Sequence, residues 1–133
     1  MIADGITTLP SEFGAKETMD RLEALVKTNG MVLFARIDHA AGAREVGLTL
    51  RPMELLIFGS AKAGTPLMQL NQVIGIDLPL KALVWEDAKG KALLSYNEPG
   101  WLANRHGLGG ESEVAVQRMT AVLRGLAKSA TER

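Results

Sequence analysis

The chain has 133 residues, 47% of them hydrophobic and 23% charged, which is typical of a globular protein and predicts a single domain over residues 1–133. Fifteen basic residues balance fifteen acidic ones, so the general attraction to nucleic acid or anionic lipid is absent and neither is predicted as a partner. The absence of cysteine excludes disulfides, thiolate catalysis and zinc–thiolate sites. Neither a secretory signal nor an apolar stretch of roughly 20 residues is present, so we predict a cytoplasmic protein.

The first half of the chain alternates strand and helix patterns. Residues 5–10, "GITTLP", predict an opening strand, and the helical spacing of Met19, Leu22 and Val26 predicts an amphipathic helix that ends before Gly30. Residues 31–37 predict a buried strand, and the alanine-rich residues 39–47 predict one or two helical turns. Asp38 would cap these turns and leave His39 exposed.

The second half predicts three further strands. Residues 53–60, "MELLIFGS", form the first, and Thr65 followed by Pro66 indicates the start of a short helix. Alternation over residues 74–84 predicts a strand that bends near Pro79 and turns Ile74, Ile76, Leu78, Leu80, Ala82 and Val84 towards the helices.

The end of the chain predicts a hairpin and a second long helix. Asp87 and Gly90 are typical of a turn that leads into a partner strand over residues 92–96. Residues 97–110, "NEPGWLANRHGLGG", predict a crossover loop. After Gly110, an apolar stripe of helical spacing predicts a C-terminal helix through Val116, Met119, Val122, Leu123 and Leu126.

This order predicts an α+β fold, a two-layer sandwich of strand, helix, four strands and helix with a mainly antiparallel sheet. The second sheet face is also partly apolar, because Leu83 and Trp85 fall on it. Three explanations are open: the short inserted helices and residues 97–110 cover this face, a homodimer forms through it, or a ligand pocket lies between sheet and insertions.

Arg105 and His106 are the most reactive neighbouring side chains. Histidine suits a general base and arginine an anion clamp, and Asp77 could orient His106 or pair with Arg105. The same residues could instead fasten a loop by hydrogen bonds. His39 and His106 lack the spacing of a metal site, so neither a metal nor another cofactor is predicted.

Residues 59–65, "GSAKAGT", superficially resemble an anion-binding loop. Gly59 and Gly64 have the glycine spacing of a phosphate loop, but Thr65 and Pro66 stand where lysine and serine or threonine should follow. Nucleotide hydrolysis is therefore not predicted, although a small anion at the following helix start would fit.

Four ordered segments, "LLIFGSAKAGTPLMQ", "IDLPLKALVWED", "LLSYNEP" and "LANRHGL", together resemble the family known as domain of unknown function 302. The resemblance implies the strand and helix order above, an outline similar to the TATA-binding protein, and an oligomer. It implies no activity. The family's shared polar positions fall on Asp77, Lys81, Tyr96, Asn97, Arg105 and His106, with Gly59, Gly64 and Thr65 in the preceding loop.

We therefore predict a cytoplasmic homodimer that binds a small ligand, anionic or apolar. The residues predicted to bind it are Lys81, Tyr96, Asn97, Gly59, Gly64 and Thr65. One alternative is an enzyme that uses His106 as base, Arg105 as anion clamp and Asp77 as orienting carboxylate. Another alternative is a structural or partner-binding module.

Overall fold

A computed structural model describes residues 4–133 as one antiparallel sheet with helices. The strands are β1 (Ile6–Pro10), β2 (Val32–Asp38), β3 (Met53–Gly59), β4 (Leu80–Glu86) and β5 (Ala92–Asn97). The helices are α1 (Ala15–Thr28), α2 (His39–Glu45), α3 (Ala61–Leu70), α4 (Pro99–Arg105) and α5 (Glu113–Thr131), with 3₁₀ helices at Gln72–Asp77 and Gly110–Ser112. The sheet order is β1-β5-β4-β3-β2, and every neighbouring pair is antiparallel. The predicted α+β fold is confirmed.

The core lies between one face of the sheet and the helices α1 and α5. Alternate residues of β3, β4 and β5 are buried there, among them Phe58, Val84 and Leu94. Met19 of α1 and Leu123 of α5 fill the opposite side. The stripe predicted for α5 is correct except at Val122, which is 42% exposed.

The predicted Asp38 cap and the predicted β4–β5 turn are confirmed. The side chain of Asp38 accepts a hydrogen bond from the backbone N–H of Ala41 at 2.8 Å, and His39 at the start of α2 is exposed. In the β4–β5 turn, the backbone N–H of Gly90 donates to the Asp87 carbonyl, and Gly90 has a φ of +80°. That conformation suits glycine because it has no Cβ.

The continuous strand predicted over residues 74–84 is wrong in its first half. Gln72–Asp77 form a 3₁₀ helix, and β4 starts only at Leu80. Asn71 caps this helix by accepting a hydrogen bond from the N–H of Val73, so the chain turns where alternation predicted extension. The predicted burial of alternate residues from Ile74 to Val84 fails at Ile76, which is 73% exposed.

The predicted start of α3 at Thr65 and Pro66 is also wrong. The helix begins at Ala61, because the Ser60 hydroxyl accepts a hydrogen bond from the Ala63 N–H at 3.1 Å. Pro66 lies in the second turn. The only intrahelical donor that it removes is its own N–H, and the rest of the helix persists.

The predicted loop over residues 97–110 contains a helix, α4. Pro99 is its first residue, a position that proline favours because its fixed φ is helical and its missing N–H has no intrahelical partner. Leu102 is buried. The Trp101 ring lies over Gly5, where a Cβ would come within 2.3 Å of the ring. The pair therefore fastens α4 beside the start of β1.

The second face of the sheet, termed the open face, is formed by the other set of alternate residues. The inserted helices do not cover it within the described residues. Helices α3 and α4 pack against α5, and α2 contacts β3, with Ala40 beside Arg36 and Ala15 of α1 at one pocket on the helix side. The prediction that they cover it is wrong, because their own apolar residues join the helix layer. The open face carries Ile6, Thr8, Ala35, Ile37, Leu55, Ile57, Lys81, Leu83, Trp85, Leu93, Ser95 and Asn97.

Candidate functional site

Asp77, the last residue of the first 3₁₀ helix, binds both Arg105 and His106 at the end of α4. His106 Nε2 lies 2.6 Å from Asp77 Oδ2, and Arg105 Nη1 donates to Oδ1 at 3.0 Å and to Oδ2 at 2.9 Å. The His106 side chain is 8% exposed and that of Asp77 is 18% exposed, whereas Arg105 is 52% exposed. The contact between Asp77 and His106 is thus protected from water, whereas the contact between Asp77 and Arg105 is largely solvated.

Backbone contacts strengthen this junction, which we call the Asp77 junction. The side-chain N–H of Asn71 donates to the His106 carbonyl at 2.8 Å, and Lys81 Nζ donates to the carbonyls of Asp77 and Pro79 at 3.3 and 3.2 Å. Residues 71–79 are therefore bound at both ends. One side of the junction is the C-terminus of α4, where His106 follows the last helical residue.

The electrostatics assign protons within the junction. Burial raises the pKa of the Asp77 carboxyl, but the hydrogen bond from His106 and the charge of Arg105 outweigh it, so this pKa is lower than usual. Asp77 is therefore ionised near neutral pH and accepts from both neighbours. Because the ionised carboxylate can only accept, Nε2 of His106 is the donor in their hydrogen bond.

A separate cavity of about 290 Å³ lies where β3 passes into α3 and where residues 78–80 lead into β4. Gly59, Gly64 and Thr65 line it, together with Met68 of α3 and Met119 of α5. Its other lining residues are Phe34, Ser60, Ala61, Ala63, Leu78, Pro79 and Leu80. Among the described residues none of these side chains is charged, so the walls suit an apolar ligand better than an anion.

The structure separates the predicted residues into three places. Asp77, Arg105 and His106 form the junction, and Gly59, Gly64 and Thr65 line the cavity. Lys81 and Asn97 border a shallow groove on the open face. The Tyr96 residue is 5% exposed and belongs to the core, where burial and the negative charge of Glu98 raise the pKa of its hydroxyl. Their roles in catalysis and binding stay predictions.

Sequence reasoning missed most of the cavity wall. Phe34 comes from the edge strand β2 at an irregularity of register, and Met119 belongs to a helix stripe that indicated only core packing. Ser60 could have been found, because serine directly after a strand and before an alanine-rich run is a typical helix cap.

Sequence reasoning also missed an ion cluster on the helix side of β2. Arg36 donates to both oxygens of Glu54 at 2.9 Å and reaches Asp20 and Glu23 of α1 at 2.8 and 3.3 Å. Hydrogen bonds to Glu54 raise the pKa of Arg36, although burial opposes this. Hydrogen bonds from Lys16 and Arg36 lower the pKa of Asp20. The cluster connects β2 to α1.

The fold and these sites define an α+β domain with helices on one face of a five-stranded antiparallel sheet. The chain belongs to the family described as "Domain of unknown function DUF302", which matches residues 7–126. The resemblance predicted from its four segments is confirmed.

A solved structure shares this fold. It is the crystal structure of an uncharacterized conserved protein DUF302 from Bacillus stearothermophilus, with a TM-score of 0.85 and 21% sequence identity. The match covers 96% of this chain and 99% of that chain. At this identity the likeness concerns the fold.

Two relatives are longer than this chain. A protein of Brucella suis named "Fluoride-specific ion channel FluC 1" is 50% identical over 119 residues, which are 90% of this chain and 47% of that protein. A Brucella abortus protein of the same name is 50% identical over 119 residues, 90% of this chain and 44% of its own length. The chain thus spans about half the length of these relatives. Among residues 4–133, no helix has the length and apolar character needed to cross a membrane.

Proposed function

We propose that the protein is an oligomeric domain that binds a small, uncharged and mainly apolar ligand. The observation that carries this proposal is the cavity of about 290 Å³ between β3, α3 and α5. This volume is at the lower end of the roughly 300–1,000 Å³ typical of small-molecule sites. The cytoplasmic location predicted from the sequence belongs to the same proposal.

The chemistry of the lining favours a neutral ligand. The hydroxyls of Ser60 and Thr65 are its polar side-chain groups, and Met68 and Met119 supply flexible walls that can adapt to different shapes. A charged ligand would lose its hydration without gaining a charged partner from the lining, so we expect discrimination by charge.

Two related fluorescent probes test this expectation. N-phenyl-1-naphthylamine is uncharged, and 8-anilino-1-naphthalenesulfonate has the same ring skeleton with one added negative charge. We expect the neutral probe to bind with increased fluorescence and to raise the melting temperature, and the sulfonate to bind at least about tenfold more weakly, a difference of about 1.4 kcal/mol.

Variants on α3 locate the binding. Ala63 is exposed and lies at the edge of the cavity, so Ala63→Trp should block entry without disturbing the core. Lys62→Trp is the matched control, because Lys62 is exposed on the same helix but does not line the cavity. Probe binding that is absent in the wild type, or unchanged in Ala63→Trp, would refute the ligand proposal.

The Brucella relatives favour a second candidate function, that of an accessory domain acting with a fluoride channel. Both relatives are named as fluoride-specific channels, and this chain matches only about half of each. A channel must cross the membrane, so the pore of such a protein would lie in the unmatched part. The domain would then modulate the channel, as the predicted partner-binding module.

Fluoride efflux from proteoliposomes tests this second function. The Brucella suis protein would be compared with a version that lacks the matched segment, each with and without the purified chain. We expect the segment, in place or added, to change the efflux rate. Equal rates in all four preparations would contradict an accessory role.

A further inference from the structure

The open face is an apolar surface that no described element covers. Leu55, Ile57 and Leu83 form its centre on β3 and β4, and Trp85 and Leu93 extend it towards one end. These side chains are only partly buried in the single chain. An uncovered apolar patch of this kind on a monomer marks an interaction surface.

Four of the polar side chains on the open face, those of Thr8, Lys81, Trp85 and Ser95, already have partners within the chain. The Ser95 hydroxyl accepts from Trp85 Nε1 at 2.9 Å and shares a hydrogen bond with the Thr8 hydroxyl at 2.7 Å. The Lys81 ammonium donates to the carbonyls of Asp77 and Pro79, just before β4, which leaves its aliphatic stem on the face. Covering the face would therefore leave few hydrogen-bond donors or acceptors without a partner.

The size and charge of the open face fit a second copy of this chain. Five strands of five to seven residues, spaced about 4.8 Å apart with a rise of about 3.4 Å per residue, give a sheet plane of roughly 500 Å². This area is close to the lower end of the roughly 600–1,000 Å² per protomer that stable interfaces bury. Lys81 is the one charged side chain among the strand residues of the open face. Contact between two copies therefore brings together a single pair of like charges, and both ammonium groups already donate to backbone carbonyls of their own chain.

We infer that two copies associate face to face through the open face. The contact is self-complementary, because a two-fold axis places the same apolar centre on both sides. The sheets stack about 10 Å apart, as in a β-sandwich, with the helix layers outside. The inference rests on the oligomeric part of the proposed function and not on ligand binding, because this interface is distinct from the cavity lined by α3 and α5.

A charge at the centre of the open face tests the interface. Leu83 lies in the middle of the central strand and pairs with Leu55 and Ser95, so Leu83→Glu places two carboxylates against an apolar partner. Val114→Glu is the matched control, because Val114 is 61% exposed on α5. By sedimentation equilibrium we expect a dimer for wild type and for Val114→Glu. For Leu83→Glu we expect the dimer dissociation constant to be higher by about 30-fold or more.

A crosslink provides a second measurement that does not depend on tolerance of a buried charge. Because the chain has no cysteine, Leu83→Cys and Val114→Cys each introduce a single thiol. A short bismaleimide should convert folded Leu83→Cys, but not Val114→Cys, into a covalent dimer.

Three results would overturn the inference: a wild-type monomer at micromolar concentration, folded Leu83→Glu that dimerises like wild type, or equal crosslinking of the two cysteine variants. Binding of the neutral probe is measured in parallel, so loss of the dimer and loss of ligand binding are separate outcomes.

Discussion

Replacing Asp77 with Asn tests whether the Asp77 junction holds the molecule together. The substitution keeps the shape of the side chain and removes its charge. The contact between Asp77 and His106 is 2.6 Å long, with side chains 18% and 8% exposed, so it belongs with charge-assisted hydrogen bonds worth about 1.5–3 kcal/mol. Arg105 is 52% exposed, and its contact adds only roughly 0.2–1 kcal/mol. Because Asn retains an acceptor oxygen, we expect the free energy of unfolding to fall by about 2 kcal/mol.

Urea and thermal denaturation measure this loss. For a chain of this length, about 2 kcal/mol corresponds to a decrease in melting temperature of roughly 6–10 °C. A double-mutant cycle with His106→Phe isolates the contact, and we expect a coupling energy of about 1–2 kcal/mol. An Asp77→Asn protein as stable as the wild type, or a coupling energy near zero, would refute a structural role for the junction.

The pH dependence of the same variant gives an independent check. The folded pKa of Asp77 is lowered, so the unfolded chain binds its proton more readily as pH falls. The stabilisation by Asp77 is therefore present above the unfolded pKa of about 3.9 and is lost as pH falls through the lower folded value. The stability difference between wild type and Asp77→Asn should persist at pH 5 and narrow below about pH 4. A difference independent of pH in this window would contradict this assignment.

Three further predictions concern positions away from the junction. Ser60→Ala removes the hydroxyl that caps α3 and should cost about 1 kcal/mol in urea denaturation, whereas Ser60→Asp should restore most of it. Gly90→Ala forces a Cβ into a turn with a φ of +80° and should cost about 1–2 kcal/mol, measured by thermal unfolding. Arg36→Lys keeps the charge but loses the two-pronged contact with Glu54, so we expect a loss of about 1 kcal/mol that decreases in high salt. Stability equal to wild type would contradict each prediction.

Much of the fold follows from short-range patterns in the sequence. The apolar stripes of α1 and α5 predict helices because residues three and four apart share one helix face, and both helices pack as expected. The β4–β5 turn follows from Asp87 and Gly90, whose conformational preferences act within a few residues. These features need no information from distant parts of the chain.

Residues 72–77 show where short-range patterns fail. Alternation predicts a strand from residue 74 onward, but Asn71 caps a 3₁₀ helix, and His106, almost thirty residues away, binds Asp77. The sequence indicated that Asp77, Arg105 and His106 carry polar chemistry and could meet. Only the folded chain decides the distance between them and the limited exposure of the histidine.

By itself the sequence determined the α+β class, the main helices and most strands, and it indicated that the second sheet face is partly apolar. Only the tertiary structure decided that the inserted helices join the helix layer, that the open face stays uncovered by the described residues, and that Phe34, Met68 and Met119 meet at one cavity. The physical reason is that hydrophobic periodicity acts along a few turns of chain, whereas a cavity or an open face depends on how distant elements pack.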